Sequence, residues 1–152
     1  TWDKYDPCCC TPLFDAIGKT VKKIKKDTKD IEDAAVLVTI ITDGYENSSK
    51  EWTGPMVKKL IDECKEEGWM FSFIGAGEDV VKVATTISIT NTVVWEQTSE
   101  GTAEMFENEN QARNRFYDKM AAPCCGAPMS LEERKAMKRR LSEEYYDKDK
   151  KY

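Results

Sequence analysis

Two oxygen-bearing side chains, Thr11 and Asp43, stand at positions where this chain could bind a ligand. Thr11 precedes Pro12 at the predicted start of a helix, and Asp43 directly follows the apolar run 35–42. Hydroxyl and carboxylate oxygens are the ligands that hard cations such as Mg²⁺ prefer. Each residue also has a purely structural interpretation, Thr11 as a helix cap and Asp43 as the first residue of an Asp-Gly turn.

The chain contains no histidine, which narrows the chemistry open to it. Without imidazole there is no Ser-His or Cys-His nucleophilic pair and no histidine ligand for a metal. Acid–base chemistry would fall to carboxylates, Lys, Tyr or Cys. A small Mg²⁺-dependent hydrolase that uses Asp43 with Asp15 or Glu46 is therefore one alternative, although Asp15 also fits a structural role near the start of its helix.

Five of the six cysteines stand in two runs, Cys8–Cys10 and Cys124–Cys125, and the sixth is Cys64. Consecutive cysteines lack the intervening residues that turn two sulfurs toward one zinc ion. The runs therefore favour loops with redox-sensitive thiols over a zinc site. They also differ from the spaced framework of secreted disulfide domains, which favours a reducing, cytoplasmic location.

Charge and hydropathy argue against two classes of partner. The chain has 23 Lys and Arg against 28 Asp and Glu, a net charge of −5, whereas a nucleic-acid platform needs surplus cations. No apolar run approaches the roughly 20 residues of a membrane-spanning helix. The turn Gly75-Ala76-Gly77 is followed by Val80 where a dinucleotide-binding fingerprint has its third glycine.

The hydrophobic period alternates between helix and strand over residues 11–120. The run 35–42 is apolar and β-branched, as is typical of a strand buried on both faces. The pattern predicts helices from 11 onward and at 53–67, 78–87 and 101–120, and strands at 35–42, 69–74 and 92–95. The last of these helices has a sparse predicted inner face of Met105, Phe106, Phe116 and Met120.

This alternation predicts an α/β fold with a three-layer, Rossmann-like parallel sheet and right-handed crossovers. In open α/β sheets, ligands bind beyond the carboxyl ends of the strands. Thr11 and Asp43 should therefore meet at one edge of the sheet.

The composition changes after residue 120, where the acidic excess of the chain gives way to a small basic excess. We predict a domain over 1–120, a linker over 121–129 with two prolines and a glycine, and a charged tail over 130–152. Ser130 and Glu133 form a capping box that should open a helix in the tail. Because that helix is charged nearly all round, we expect it to pack weakly.

Two motifs in this order resemble a known family. The run Thr-Pro-Leu-Phe-Asp-Ala-Ile-Gly at 11–18 is followed by an apolar strand that ends in Thr-Asp-Gly at 42–44. The segment Phe-Ile-Gly-Ala-Gly-Glu-Asp at 73–79 then follows one helix later. Together they resemble the von Willebrand factor A (VWA) domain in its bacterial and phage-type branch, over about residues 5–115.

The resemblance implies a metal-ion-dependent adhesion site at the carboxyl ends of the strands. In the family, an Asp-x-Ser-x-Ser motif, a Thr and a second Asp hold Mg²⁺ or Mn²⁺, and a partner's carboxylate often completes the coordination. Thr11 matches the family's Thr, and Asp43 matches its second Asp, which commonly works through water. The sequence departs from the family in one respect, since Asp-x-Ser-x-Ser occurs nowhere in the 152 residues.

In the family's strand order, the strand that carries this motif pairs with the strand ending at Asp43. The chain is then either a fragment or a reduced domain with an inactive site, and its start at Thr1 favours a fragment. In both cases the strand at 35–42 becomes an exposed edge, which is an aggregation hazard. We therefore expect this chain alone to be poorly soluble or to need a partner.

These observations predict a non-catalytic protein-binding module that recognises a protein partner through the top face of the sheet, with Mg²⁺ or Mn²⁺ when the site is complete. The alternative is a metal-independent interaction or scaffold domain that uses the same face. No nucleic acid and no membrane is expected to bind. Residues that could shape the rim of that face are Glu46, Asn47 and Glu78 and the aromatic residues Trp2, Tyr5, Tyr45 and Trp52.

Overall fold

The computed structural model describes residues 10–121 and 129–146. It is an α/β structure with a three-stranded parallel sheet in the order β1-β2-β3, which confirms the predicted α/β class and the parallel sheet and is consistent with a Rossmann-like layout. The strands are β1 (Leu37–Thr42), β2 (Met70–Gly75) and β3 (Asn91–Val94). The helices are α1 (Leu13–Thr28), α2 (Gly54–Glu66), α3 (Glu78–Thr86), α4 (Ser99–Ala121) and α5 (Leu131–Glu143).

The central strand β2 is buried along its whole length, whereas β1 is only partly buried. Leu37 pairs with Met70 at one end of the β1–β2 ladder, and Thr42 pairs with Gly75 at the other. Within the described residues, no strand pairs with the outer side of β1. Over the part of the chain that the structure describes, β1 is therefore an edge strand as predicted, and the predicted effect on solubility stays a prediction.

One face of the sheet is covered by α1, α2 and α3 and is almost entirely apolar. We call it the α1–α3 face. Helical spacing on α1 and α2 and alternation on β1 and β2 bring large side chains to this face, where they form one cluster. Its fully buried members include Val21, Val57, Ile61, Phe71 and Phe73.

The opposite face, which we call the α4–α5 face, is covered by α4 and α5. Two smaller apolar clusters lie here, one around Met70 and Phe116 and one around Ile74 and Met105. The predicted inner face of α4 is wrong at Phe106, which is 50% exposed. Glu109 is buried instead, because the inward register of α4 runs through positions 105, 109, 112 and 116.

Helix α5 begins where the capping box predicts, with Ser130 as its N-cap. The Glu133 amide donates to the Ser130 hydroxyl, and the Glu133 carboxylate accepts from the Ser130 amide. The expectation that this helix packs weakly is wrong. Leu141 and the following Tyr145 are buried in the cluster around Met70, and Lys138 is only 2% exposed. Met137 and Leu141 together with one buried cation therefore dock a helix whose other side chains are mostly charged.

Several predictions fall on residues outside the described ranges. They concern Trp2, Tyr5, Cys8, Cys9, Cys124, Cys125, most of the linker predicted at 121–129, and positions 147–152 of the tail. The division into domain, linker and tail stays a prediction. None of the helices within 10–121 and 129–146 combines the length and apolarity needed to cross a bilayer.

Candidate functional site

The three parallel strands end at one edge of the sheet, which we call the carboxyl rim. It comprises the segment 10–12 and the loops that follow β1, β2 and β3. Thr11 is fixed there by Asn47, since the Thr11 amide donates to Asn47 Oδ1 at 2.7 Å and the Asn47 amide donates to the Thr11 carbonyl at 3.2 Å. This pairing ties the start of α1 to the loop after β1.

Thr11 lies against the turn that carries Asp43. A Cβ placed on Gly44 would come within 2.9 Å of Thr11 Oγ1, so only a glycine lets the hydroxyl approach this closely. The Thr42 hydroxyl bonds to both the amide and the carbonyl of Gly44, which fixes the turn. Asp43 itself is exposed. The structure thus places Thr11 at the turn next to Asp43, at the same edge of the sheet.

The hydroxyl of Thr11 is not a helix cap. The N-cap of α1 is Pro12, and no side chain of the flanking residues caps the helix. The amides of its first turn find acceptors in the loop after β1 instead. The Phe14 amide donates to Glu46 Oε2 at 2.7 Å, and the Asp15 amide donates to Ser49 Oγ at 3.0 Å. Within the described residues, the Thr11 hydroxyl therefore takes no part in capping α1.

Glu46 is the centre of this arrangement. Its Oε1 accepts from the amides of Ser48 and Ser49 at 3.0 and 2.8 Å, and its Oε2 accepts from the Ser49 hydroxyl at 2.7 Å in addition to Phe14. Burial alone would raise the pKa of Glu46, but these hydrogen bonds outweigh burial and lower it. A carboxylate with four donors and its charge near a helix N-terminus acts as a structural anchor.

Asp15 makes the return connection from helix to loop. Its Oδ2 accepts from the Lys50 amide at 3.0 Å, and its Oδ1 accepts from the amides of Glu51 and Trp52 at 3.0 and 2.8 Å. These bonds, led by the one from Lys50, lower the pKa of Asp15 against the opposing effect of burial. We call the reciprocal pair Asp15 and Glu46 the clasp.

The clasp also explains the glycine of the 11–18 motif. A Cβ on Gly18 would come within 2.1 Å of the Trp52 indole, so the ring packs directly on the backbone of α1. The Lys22 ammonium lies 4.8 Å from the centre of the same ring, within cation–π range. Trp52 therefore packs against the core rather than at the rim, whereas Tyr45 is 54% exposed.

The other residues predicted to shape the rim likewise include some that hold the loop and one that is exposed. Glu46 accepts one hydrogen bond from α1, at Phe14, and three from its own loop, and Asn47 holds Thr11. Glu78 is exposed at the start of α3. Sequence reasoning missed the role of Ser49, whose hydroxyl joins Glu46 to the Asp15 amide; the Ser and Asn residues at 47–49 are the composition typical of such loop-to-backbone bonding.

The two cysteines within the described residues occupy opposite environments. Cys10 is exposed beside Thr11, and Cys64 is fully buried on α2. Burial raises the pKa of the Cys64 thiol to about 11, which keeps it protonated and unreactive at neutral pH. Cys64 is thus a core residue.

Thr11 and Asp43 supply oxygen ligands of the kind that suits Mg²⁺, but two protein ligands leave most of its octahedral shell to be filled. Within residues 10–121 and 129–146, no group of three or more His, Cys, Asp or Glu side chains is arranged to hold a metal ion. Comparisons with protein-family models, curated proteins and solved structures gave no match to this chain.

Proposed function

We propose that this chain is a non-catalytic protein-binding module of the VWA type, in which the family's Asp-x-Ser-x-Ser motif does not occur within the 152 residues. It recognises a partner protein through the carboxyl rim, and a Mg²⁺ or Mn²⁺ ion held in part by Thr11 and Asp43 links the two proteins. The observation that carries this proposal is the position of Thr11 Oγ1 against Gly44, next to the exposed Asp43. Water and a carboxylate of the partner would supply the remaining ligands.

The clasp supports binding rather than catalysis at this rim. The hydrolase alternative needs Asp15 or Glu46 as a second carboxylate beside Asp43. The oxygens of Asp15 accept three backbone hydrogen bonds, and those of Glu46 accept four hydrogen bonds. Both carboxylates have a lowered pKa, so they are poor general bases and are not available as acids. The clasp instead holds the rim in one shape before a partner arrives.

A manganese titration tests the metal. Mn²⁺ added to the isotopically labelled chain should broaden the amide resonances of Thr11 and Gly44 before those of other residues. If binding is specific, an ion concentration of 100 times its Kd should stabilise the fold by about 2.7 kcal/mol. Asp43→Asn should abolish both effects.

Asp118→Asn is the matched control, because Asp118 is an exposed aspartate near the far end of α4. This variant should respond to Mn²⁺ as the wild type does. Equal broadening in Asp43→Asn and wild type would refute metal binding at the rim. Partner binding that survives Asp43→Asn would then favour the metal-independent interaction domain on the same face.

A further inference from the structure

A cavity of about 350 Å³ opens at the other end of the carboxyl rim, between the end of β3 and the start of α4. The chain that forms it is tightly held. The Trp95 amide donates to the Gly75 carbonyl at 3.0 Å, and the Thr98 hydroxyl accepts from the Gly101 amide at 2.9 Å. A Cβ on Gly101 would come within 2.5 Å of the Glu96 carbonyl, so the loop folds back as closely as a glycine permits.

The lining of this cavity combines an apolar base with acidic edges. Val93 and Met105 are buried and form the base. Trp95 is a half-buried wall, and its indole N–H donates to Thr102 Oγ1 at 3.3 Å, which restrains the ring. Glu96 and Glu104 line the cavity as exposed carboxylates.

Neither carboxylate is neutralised from within the described part of the chain. The ion pairs over residues 10–121 and 129–146 engage neither Glu96 nor Glu104. The whole chain carries a net charge of −5, which adds to the negative potential at this cavity. This negative potential repels an anionic ligand. A wholly apolar ligand would fill the base of the cavity but form no ion pair with the two carboxylates.

We propose that this cavity receives an arginine side chain from the partner protein. The methylene stem would lie on Met105 and Trp95, and the guanidinium would lie between the Glu96 and Glu104 carboxylates. Arginine suits this lining because its planar cation stacks on aromatic rings and pairs with carboxylates, while its stem covers apolar surface. A lysine would keep the charge and lose the planar stacking.

This inference rests on the proposed function, since it names a feature of the partner that binds the rim. The ends of β1 and β3 are two strand spacings apart, about 10 Å. The partner surface would then present an arginine to the cavity about 10 Å from the group that faces Asp43. Two such contacts would fix the orientation of the partner on the rim.

The test is an NMR titration with N-acetyl-arginine amide, with N-acetyl-citrulline amide as the uncharged ligand of nearly the same shape. The arginine compound should shift the Trp95 indole resonance and the Gly101 amide, with a Kd in the millimolar range expected for one side chain. Glu96→Gln with Glu104→Gln should weaken binding by roughly five-fold, because two exposed charge pairs are lost.

Glu100→Gln with Glu107→Gln is the control variant. It also removes two negative charges, but from positions on α4 that do not line the cavity. It should bind the arginine compound as the wild type does. Equal weakening in the two double variants, equal affinity for the citrulline compound, or no shift at tens of millimolar would each overturn the proposal. The titration is run in EDTA, so its outcome is separate from that of the metal experiment at Thr11 and Asp43.

Discussion

The two faces of the sheet are covered by contacts of different kinds. On the α1–α3 face, helices pack through large apolar side chains such as Val57, Ile61 and Phe73, all fully buried. On the α4–α5 face, a buried carboxylate, Glu109, and a buried ammonium, Lys138, lie beside small apolar clusters. Apolar packing tolerates exchange of one side chain for another of similar volume, whereas a buried polar group depends on every partner.

Glu109 shows what this dependence means. It accepts hydrogen bonds from the hydroxyls of Thr39 at 2.6 Å, Tyr145 at 2.9 Å and Tyr146 at 2.7 Å. Burial, reinforced by the Glu109 charge, raises the pKa of both tyrosines, so they stay protonated and remain donors. One carboxylate on α4 thereby holds β1 and the segment that follows α5 together.

The largest effect is expected from Glu109→Ala. The substitution leaves three buried or half-buried hydroxyls without their acceptor, and it should lower the free energy of unfolding by about 3 kcal/mol or more. Ile61→Val on the α1–α3 face removes one methyl group and should cost about 1 kcal/mol. Urea unfolding followed by tryptophan fluorescence measures both. A cost for Glu109→Ala no greater than that for Ile61→Val would remove the distinction between the faces.

A triple variant sharpens this result. Glu109→Leu combined with Tyr145→Phe and Tyr146→Phe removes the acceptor together with two of its three donors and leaves only the Thr39 hydroxyl, so it should recover most of the stability lost in Glu109→Ala. Failure to recover would mean that side-chain volume, and not the hydrogen bonds, makes Glu109 important to this face.

The same difference explains which parts of the fold could be predicted from the sequence: elements fixed by apolar packing could be, and buried polar groups could not. Period and β-branching predicted every helix and strand over residues 11–120 to within a few residues, because burial of apolar stripes fixes those elements. The same rule placed Phe106 inside and overlooked Glu109, since a carboxylate is not expected in a core. The spacing of Met105, Ala112 and Phe116 does include position 109, so geometry without hydropathy would have found it.

At the candidate site, the sequence predicted that Thr11 and the turn at Asp43 share one edge, and the structure places them there. It could not show how they are held. The clasp joins residues more than 30 positions apart through side-chain-to-backbone bonds, and such pairings leave no periodic trace in a sequence. The same limit applies to the docking of α5, whose buried cation, Lys138, forms an ion pair with a residue more than 100 positions away.

That ion pair joins Lys138 to Asp33. The Lys138 ammonium donates to Asp33 Oδ1 at 2.6 Å, to the Asp33 carbonyl at 3.1 Å and to the Ala34 carbonyl at 3.0 Å, so all three of its protons are used. Burial would raise the pKa of Asp33, but the hydrogen bonds from Lys138 and Arg134 outweigh it and lower the pKa.

A double-mutant cycle measures this pair. Lys138→Met and Asp33→Asn should each destabilise the fold, and the double variant should cost less than the two together, with a coupling of about 1–3 kcal/mol. Asn is chosen because Asp33 has φ 60°, which Asn tolerates. The exposed pair Lys58–Asp62, 2.7 Å apart, is the matched control and should couple by about 0.5 kcal/mol. Equal couplings would show that burial does not strengthen the α5 contact.

The smallest expected effect is on the pH dependence of stability, through the clasp. The clasp is the polar part of the otherwise apolar α1–α3 face. The pKa values of Asp15 and Glu46 are lowered in the folded chain, so the unfolded state binds more protons between these lowered values and the unfolded values near 4. Their contribution is therefore complete above that pH and is lost as pH falls through the lowered folded pKa values.

Asp15→Asn with Glu46→Gln should accordingly flatten the acid limb of the stability profile, measured as the urea midpoint between about pH 6 and pH 2.5. Glu133→Gln is the comparison, because hydrogen bonds from Ser130 also lower the pKa of Glu133, but on the exposed first turn of α5. Its profile should stay close to that of the wild type below pH 4, since an exposed cap contributes less than a bridge between two elements. If both variants follow the wild-type curve in parallel, ionisation of the clasp does not contribute to holding α1 on the loop after β1, and the rim depends on apolar packing alone.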